Sequence, residues 1–322
     1  MNETMLKVHG SGNTFYLYEA QEDAYDWVQL AKWLCDSKNE QGADGLLLVL
    51  PSTMADAKMR VINADGSEAS MCGNGLRCVA RYVCDKLGKD AAIIETMHAN
   101  LFVQRERSIF GNLPTFSVEI SPISFELKSL PMYYKTKDKI LHELVKEFSP
   151  DIHFTAISVP NPHLIGIVDA HYIQSSSHQQ LLAQFLNGEN EFCPDGVNVS
   201  YVYPMRDDTI FVRTYERGVG FTNACGTAMT ASALVAYRNK LVNDQKVTVF
   251  NPGGFVQCHV KQLDENYALT LVGNATVIAI YTLQHVANDW TFVASEQTGE
   301  VADYEKCMEY AEEQTRLFLV KN

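Results

Sequence analysis

The sequence predicts an α+β chain of two pseudo-symmetric domains, each a mostly antiparallel sheet wrapped around a central helix. Three observations predict it: short runs of β-branched and aromatic residues recur along the chain, two helical segments are small or apolar enough to be enclosed, and one motif occurs twice. The strand-like runs are residues 45–50, 58–63, 91–106, 115–120, 163–169, 196–203, 208–217, 246–260 and 267–283. Turn signals such as Asn251-Pro252-Gly253-Gly254 favour hairpins over parallel crossovers. Helical periodicity marks residues 26–36, 138–148, 176–186 and 301–319.

The two enclosed helices follow cysteines. After Cys72, apolar residues recur at Leu76, Val79, Ala80, Val83 and Leu87, and Gly88 stands where a left-handed residue ends a helix. After Cys225, the run from Ala228 to Ala236 is small or apolar on every face. Both cysteines lie in the repeat: Asn63-Ala-Asp-Gly-Ser-Glu-Ala-Ser-Met-Cys72-Gly and Glu216-Arg-Gly-Val-Gly-Phe-Thr-Asn-Ala-Cys225-Gly run from a strand end, through a glycine-containing loop, into a helix. The expected division is residues 1–127, carrying Cys72 and joined by 275–322, and residues 128–274, carrying Cys225. Residues 124–136 are expected to cross between the halves.

With 322 residues, 46% of them hydrophobic, the chain has the apolar material for two cores. A net charge of −13 without a basic run gives no footprint for a phosphate backbone, so nucleic acid is not an expected partner. No segment approaches the ~20 apolar residues of a membrane span, and the N-terminal residues have no apolar signal core, so a cytoplasmic protein is expected. Eight cysteines without framework spacing read as reduced thiols. Cys72, Cys78 and Cys84 are spaced by six, about 240° per step on a helix, and form no metal-binding face. The histidines show no paired metal spacing, so no metal site is expected.

A thiol at a helix entry meets unpaired backbone N–H groups and the positive end of the helix dipole, which favour thiolate. Gly73 and Gly226 let a ligand approach those groups closely, and the same helix starts can bind a carboxylate. A cysteine pair in opposite ionisation states can take a proton from one face of a carbon and return one to the other. The carboxylate-binding helix starts would stabilise the charge that develops between those steps.

Met71-Cys72-Gly73-Asn74-Gly75-Leu76-Arg77-Cys78, after Asn63-Ala-Asp-Gly-Ser, resembles the first signature of diaminopimelate epimerases; Glu216-Arg217-Gly218-Val219-Gly220 with Ala224-Cys225-Gly226-Thr227 resembles the second. His9-Gly10-Ser11-Gly12-Asn13, Gly42-Ala43-Asp44-Gly45, Asn161-Pro162-His163 and Asn198-Val199 match in the family's order, over residues 7 to 275. The resemblance implies an isomerase with Cys72 and Cys225 as the acid/base pair, an amino-acid substrate, no pyridoxal phosphate or metal, and a homodimer. It implies that Asn13, Asn63, Asn161, Asn198, Glu216 and Arg217 grip amino and carboxylate groups, and that Gly73, Asn74, Gly226 and Thr227 contact the reacting carboxylate. His163 is implied as a supporting residue.

Four positions depart from the pattern: Thr14 where Asp is common, Pro160 where Gly is usual, and Ala228-Met229 where Gly-Ala is common. They motivate a second reading, a two-cysteine racemase of another amino acid. A third reading, from a different class, is a thiol redox or ligand-sensing protein in which the two cysteines form a reversible disulfide. Residues beyond about 283 lie outside the resemblance.

Overall fold

The fold is described from a computed structural model, in which residues 2–21, 25–36, 38, 41–264, 266–286 and 289–319 are described. The expected segment 275–322 includes residues 287, 288 and 320–322, which lie outside the described residues. Two compact units are formed, Met1–Glu119 with Val272–Cys307, and Ile120–Leu271 with Met308–Asn322. Six helices are α1 (Trp27–Leu34), α2 (Gly73–Leu87), α3 (Ala170–Gln174), α4 (Ser177–Asn187), α5 (Gly226–Arg238) and α6 (Val301–Leu319) among the described residues.

In the first unit, strand Asn2–Gly10 pairs antiparallel with Asn13–Glu19 and Thr276–Val286. Asn13–Glu19 runs parallel to Gly45–Leu50, which is antiparallel to Ala57–Asn63; that strand is parallel to Ala91–Glu95, and Asn100–Glu106 and Thr115–Ile120 follow antiparallel. The second unit repeats the succession. His153–Ser158 is antiparallel to Pro162–Ile167, parallel pairing leads to Asn198–Arg206, then antiparallel to Thr209–Glu216, parallel to Lys246–Asn251 and antiparallel to Gly254–Leu263.

The hairpin at Asn251-Pro252-Gly253-Gly254 forms, with Asn251 opposite Gly254. The preference for hairpins is otherwise incomplete, because four strand pairs among the described residues are parallel. A parallel pair needs a crossover long enough to hold a helix. Each of the four crossovers carries one: α1, α2, α3 with α4, or α5.

Helix α1 starts where the Asp26 carboxylate accepts from the Gln29 amide at 3.0 Å. Its Trp27, Leu30, Ala31 and Leu34 pack on Leu46, Leu48 and Leu50. Leu47 points the other way, toward α2, so Gly45–Leu50 is buried on both faces. Helix α2 packs against the strands of the first unit and ends at Gly88, with φ 63°. Helix α5, buried on every face from Gly226 to Ala236, packs against the strands of the second.

The helix expected over residues 138–148 is absent. His142 has φ 53°, and the Ile140 carbonyl accepts from Ala156 at 3.0 Å. Glu143–Leu144 instead pairs antiparallel with residues 153 and 154. The apolar spacing reflected Ile140, Val145 and Phe148 entering the core from an irregular segment. Residues 124–136 pack within the second unit, where Ser124 bridges Ser158.

Candidate active site

Both units present a cysteine at the N-cap of their enclosed helix. Cys72 has extended backbone angles, φ −143° and ψ 105°, and its sulfur accepts from the Gly75 amide at 3.4 Å. Cys225, with φ −116° and ψ 108°, holds the same position on α5. The sequence places them there because a small side chain followed by glycine leaves the first turn open.

Around Cys72 the network is continuous. The thiol lies 3.9 Å from Asn13 Oδ1, and Asn74 Nδ2 donates to the same oxygen at 3.4 Å. Asn13 Nδ2 donates to Asp44 Oδ2 at 2.8 Å, and the Thr14 amide and hydroxyl donate there at 2.7 and 3.1 Å. Asp44 therefore fixes which face of the Asn13 amide turns toward the sulfur. Thr14, a departure from the usual pattern, serves the same carboxylate.

Beneath this surface the guanidinium of Arg77, 0% exposed, donates to the Asn74 side chain at 3.1 Å, Ser11 Oγ at 2.9 Å and the Asn274 carbonyl at 3.0 Å. A buried cation is costly unless well bonded. Here it adds positive charge one turn inside the helix whose N-terminus carries Cys72. The close packing requires Gly10, where an added Cβ would sit 2.6 Å from the Asn74 carbonyl oxygen.

In the second unit, Cys225 Sγ lies 3.5 Å from Thr227 Oγ1, and Thr227 Oγ1 lies 3.2 Å from His163 Nε2. The same nitrogen is 2.9 Å from Asn161 Oδ1. Burial, then the nearby Arg217 charge, pushes His163 down to about 3, so its imidazole is neutral and Nε2–H donates to the asparagine oxygen. Burial first, and next the charge of Glu216, holds the Cys225 thiol well above its ordinary range. Cys225 is therefore a thiol at neutral pH.

Asn198 Oδ1 accepts from the Arg217 amide at 2.8 Å, and Arg217 donates to the Asp195 carbonyl at 2.8 Å. Gly196, with φ 71°, leaves room for two side chains: an added Cβ would stand 2.5 Å from Asn187 Oδ1 and 3.0 Å from Arg217 Cδ. Glu216 accepts from the Thr222 hydroxyl at 2.5 Å. Of the expected residues, Asn13 and Asn74 join Cys72 and Gly73, while Asn161, Thr227 and Gly226 cluster with Cys225. Asn63 stands apart from the Cys72 network and donates to Ser67 Oγ at 2.9 Å within its own turn.

Asp44, Ser11, Arg77 and Asn274 were not expected in the site. Asp44 stood in the sequence only as part of the matching Gly42-Ala43-Asp44-Gly45 motif; its service to Asn13 is a tertiary contact across 31 positions. Arg77 carried one local signal, its place one helical turn after Asn74. The remaining six cysteines are buried, and burial, the leading cause at each, pushes Cys35, Cys78, Cys193 and Cys307 up to about 12. All eight cysteines are free, and no group of three or more His, Cys, Asp or Glu side chains among the described residues could hold a metal ion. No helix among them is long and apolar enough to cross a membrane.

The fold is shared with solved structures of low identity. A Bacillus anthracis phenazine biosynthesis protein of the PhzF family matches with a TM-score of 0.65 at 14% identity, over 88% of this chain and 100% of that one. A hydroxyproline epimerase from Agrobacterium vitis matches with a TM-score of 0.58 at 15% identity, over 87% and 90%.

Sequence comparison is more specific. Diaminopimelate epimerase of Listeria monocytogenes is 44% identical over 319 residues, 95% of this chain and 96% of the relative. That of Lactiplantibacillus plantarum is 43% identical over 94% and 96%. Coverage of this extent reaches past residue 283, so the segment beyond the motifs has counterparts in these relatives. The family model for diaminopimelate epimerase matches residues 5–106 and 155–278. With both cysteines, and every residue that joins them above, inside those two stretches, the chain belongs to the diaminopimelate epimerase family.

Proposed function

We propose that this chain is an isomerase that interconverts LL- and meso-2,6-diaminopimelate in the biosynthesis of lysine and peptidoglycan precursors, using Cys72 and Cys225 as its acid/base pair. The observation that carries the reading is that each cysteine stands at the N-cap of an enclosed helix in a chain of this family. Cys225, buried beside Glu216, enters as the acid; Cys72, the more exposed of the two, enters as the base. The roles exchange when the reaction runs backward.

The first-turn amides at Gly73, Asn74, Gly226 and Thr227 bind the carboxylate next to the reacting carbon, where charge builds as the proton leaves. Each unit of acidity mismatch between that carbon and a thiol costs about 1.4 kcal/mol, so these fixed dipoles have most of the barrier to offset. Arg217 pairs with a carboxylate through its planar fork, Glu216 accepts from an ammonium, and Asn13, Asn63, Asn161 and Asn198 complete the grip on both zwitterionic ends. His163 keeps Asn161 and Thr227 in register.

The proposal includes two domains, one carrying each cysteine, an organisation supported by the repeated strand succession. It includes a homodimer, supported by the family resemblance and tested by light scattering, and cytoplasmic action, supported by eight free thiols. Incubation with LL-diaminopimelate in deuterated water should yield meso product carrying deuterium at the inverted centre. Folded, reduced protein that leaves the substrate unchanged, or that instead racemises a mono-amino acid from a panel read by chiral chromatography, would overturn the reading.

A further inference from the structure

Helix α6 lies outside the residues matched by the family model, yet one of its side chains reaches the loop that delivers Asn13. Tyr304, 6% exposed, sets its ring against the His9 imidazole with centroids 4.4 Å apart and planes at 66°. Its hydroxyl would be 3.8 Å from a Cβ placed on Gly12. The loop is a left-handed turn, with φ 55° at Ser11 and 78° at Gly12. His9 Nδ1 accepts from the Gly12 amide at 3.2 Å and faces Asn274 Nδ2 at 3.3 Å. The next residue, Asn13, places its oxygen beside the Cys72 sulfur.

We propose that Tyr304 is a positioning residue for the reaction at Cys72: by sealing His9 from water it keeps Nδ1 an acceptor for the Gly12 amide, and so holds Asn13 in place. This rests on the epimerase reading of Cys72 and Asn13. An imidazole protonated at Nδ1 carries N–H on both nitrogens and cannot accept, so the turn loses its internal bond. Facing His9 are the charges of Arg77 from α2 and Glu300, one residue ahead of α6, together with the Tyr304 phenol.

Burial is the main reason His9 falls to about 4, and the Arg77 charge acts in the same direction. Glu300 opposes them, but its carboxylate is engaged by Arg81 through two contacts of 2.7 Å and by the Val277 amide at 2.9 Å. Those bonds also tie the start of α6 to α2 itself. The start of α6 is thus held against both α2 and the turn that delivers Asn13.

The test is the pH profile of kcat/KM for the wild type, Tyr304→Phe and Tyr304→Ala between pH 5 and 8. Tyr304→Phe keeps the seal and should follow the wild type within about twofold. Tyr304→Ala should gain an acid limb near the ordinary histidine value, about 6.5, and at one unit below it lose about tenfold relative to pH 8. A Tyr304→Ala profile parallel to the wild type, whatever its absolute rate, overturns the inference.

Histidine-labelled NMR of the wild type, with His9→Gln to assign the signal, provides the answer if Tyr304→Ala does not fold. A His9 signal that is flat above pH 5 supports the inference, and one that titrates near 6.5 overturns it. A wild type without epimerase activity would bring down the reading of Cys72 instead, and the NMR titration would still report on the seal.

Discussion

Substituting Gly75 by alanine should strain the Cys72 helix, and the strain should vanish when Leu47 is truncated. Gly75 is the third residue of α2, and its amide donates to the Cys72 sulfur. An added Cβ would lie 2.7 Å from Leu47 Cδ2 and 3.6 Å from the sulfur itself. Carbon atoms pack at roughly 3.5–4.0 Å, so about 1 Å has to be found. Leu47 is 0% exposed in a strand covered on both faces, which leaves it nowhere to go.

Overpacking of this kind costs about 1–3 kcal/mol, and the better helix propensity of alanine returns at most about 1 kcal/mol. Gly75→Ala should therefore destabilise the protein by roughly 1–2 kcal/mol in urea unfolding. Displacing the helix start should also lower kcat/KM by on the order of 100-fold, the usual effect of a misplacement near 1 Å. Leu47→Ala alone should cost about 2–5 kcal/mol through its cavity. In the Leu47→Ala background the added methyl enters that cavity, so Gly75→Ala should be neutral or slightly stabilising. Equal costs in the two backgrounds would refute the packing assigned to α2 and this strand.

Four further outcomes follow from the site. Asp44→Ala should lower kcat/KM about tenfold by freeing the Asn13 amide, equivalent to about 1.4 kcal/mol, with partial recovery in Asp44→Asn; unchanged kinetics would remove Asp44 from the site. Gly196→Ala should raise KM by crowding Arg217 and cost about 1–2 kcal/mol for its left-handed backbone, checked by kinetics and urea unfolding together. His163 and His9 are neutral in the folded protein down to about 3 and 4. The unfolded chain takes up those protons near 6.5, so stability should fall as pH drops from about 6.5 toward 4, by up to about 2 kcal/mol per histidine at pH 5. His163→Gln should remove its share of that slope, and an unchanged slope would contradict its burial as a neutral ring. Finally, Cys225 should react with iodoacetamide far more slowly than Cys72 at pH 8, read by peptide mass spectrometry; equal rates would contradict its being held as a buried thiol.

What could be read in the sequence was what is local. The run Gly45 to Leu50 is apolar without alternation because both its faces are covered, and Gly88 marks a helix end because glycine accepts positive φ cheaply. Cys72 and Cys225 stood out from six other cysteines because each opens a helix behind a glycine-containing loop, a pattern that repeats. The parallel strand pairs were hidden, because a strand's residues are the same whichever neighbour lies beside it. The segment 138–148 misled because Ile140, Val145 and Phe148 are spaced closely enough to imitate a helix, whereas pairing to His153–Ser158 decides its shape. Asp44 and Tyr304 were invisible for one reason: each acts on a residue far away in the chain, and no local pattern records the contact. Arg77 showed only its place one turn after Asn74, while its bonds to Ser11 and Asn274 are long-range.

The two-sulfur acid/base pair is tested most directly by Cys72→Ala and Cys225→Ala, each measured for epimerisation of LL-diaminopimelate and for substrate binding by calorimetry. Either substitution alone should abolish inversion, with the substrate still bound. A folded single variant that inverts the substrate at the wild-type rate would contradict the role given to that sulfur.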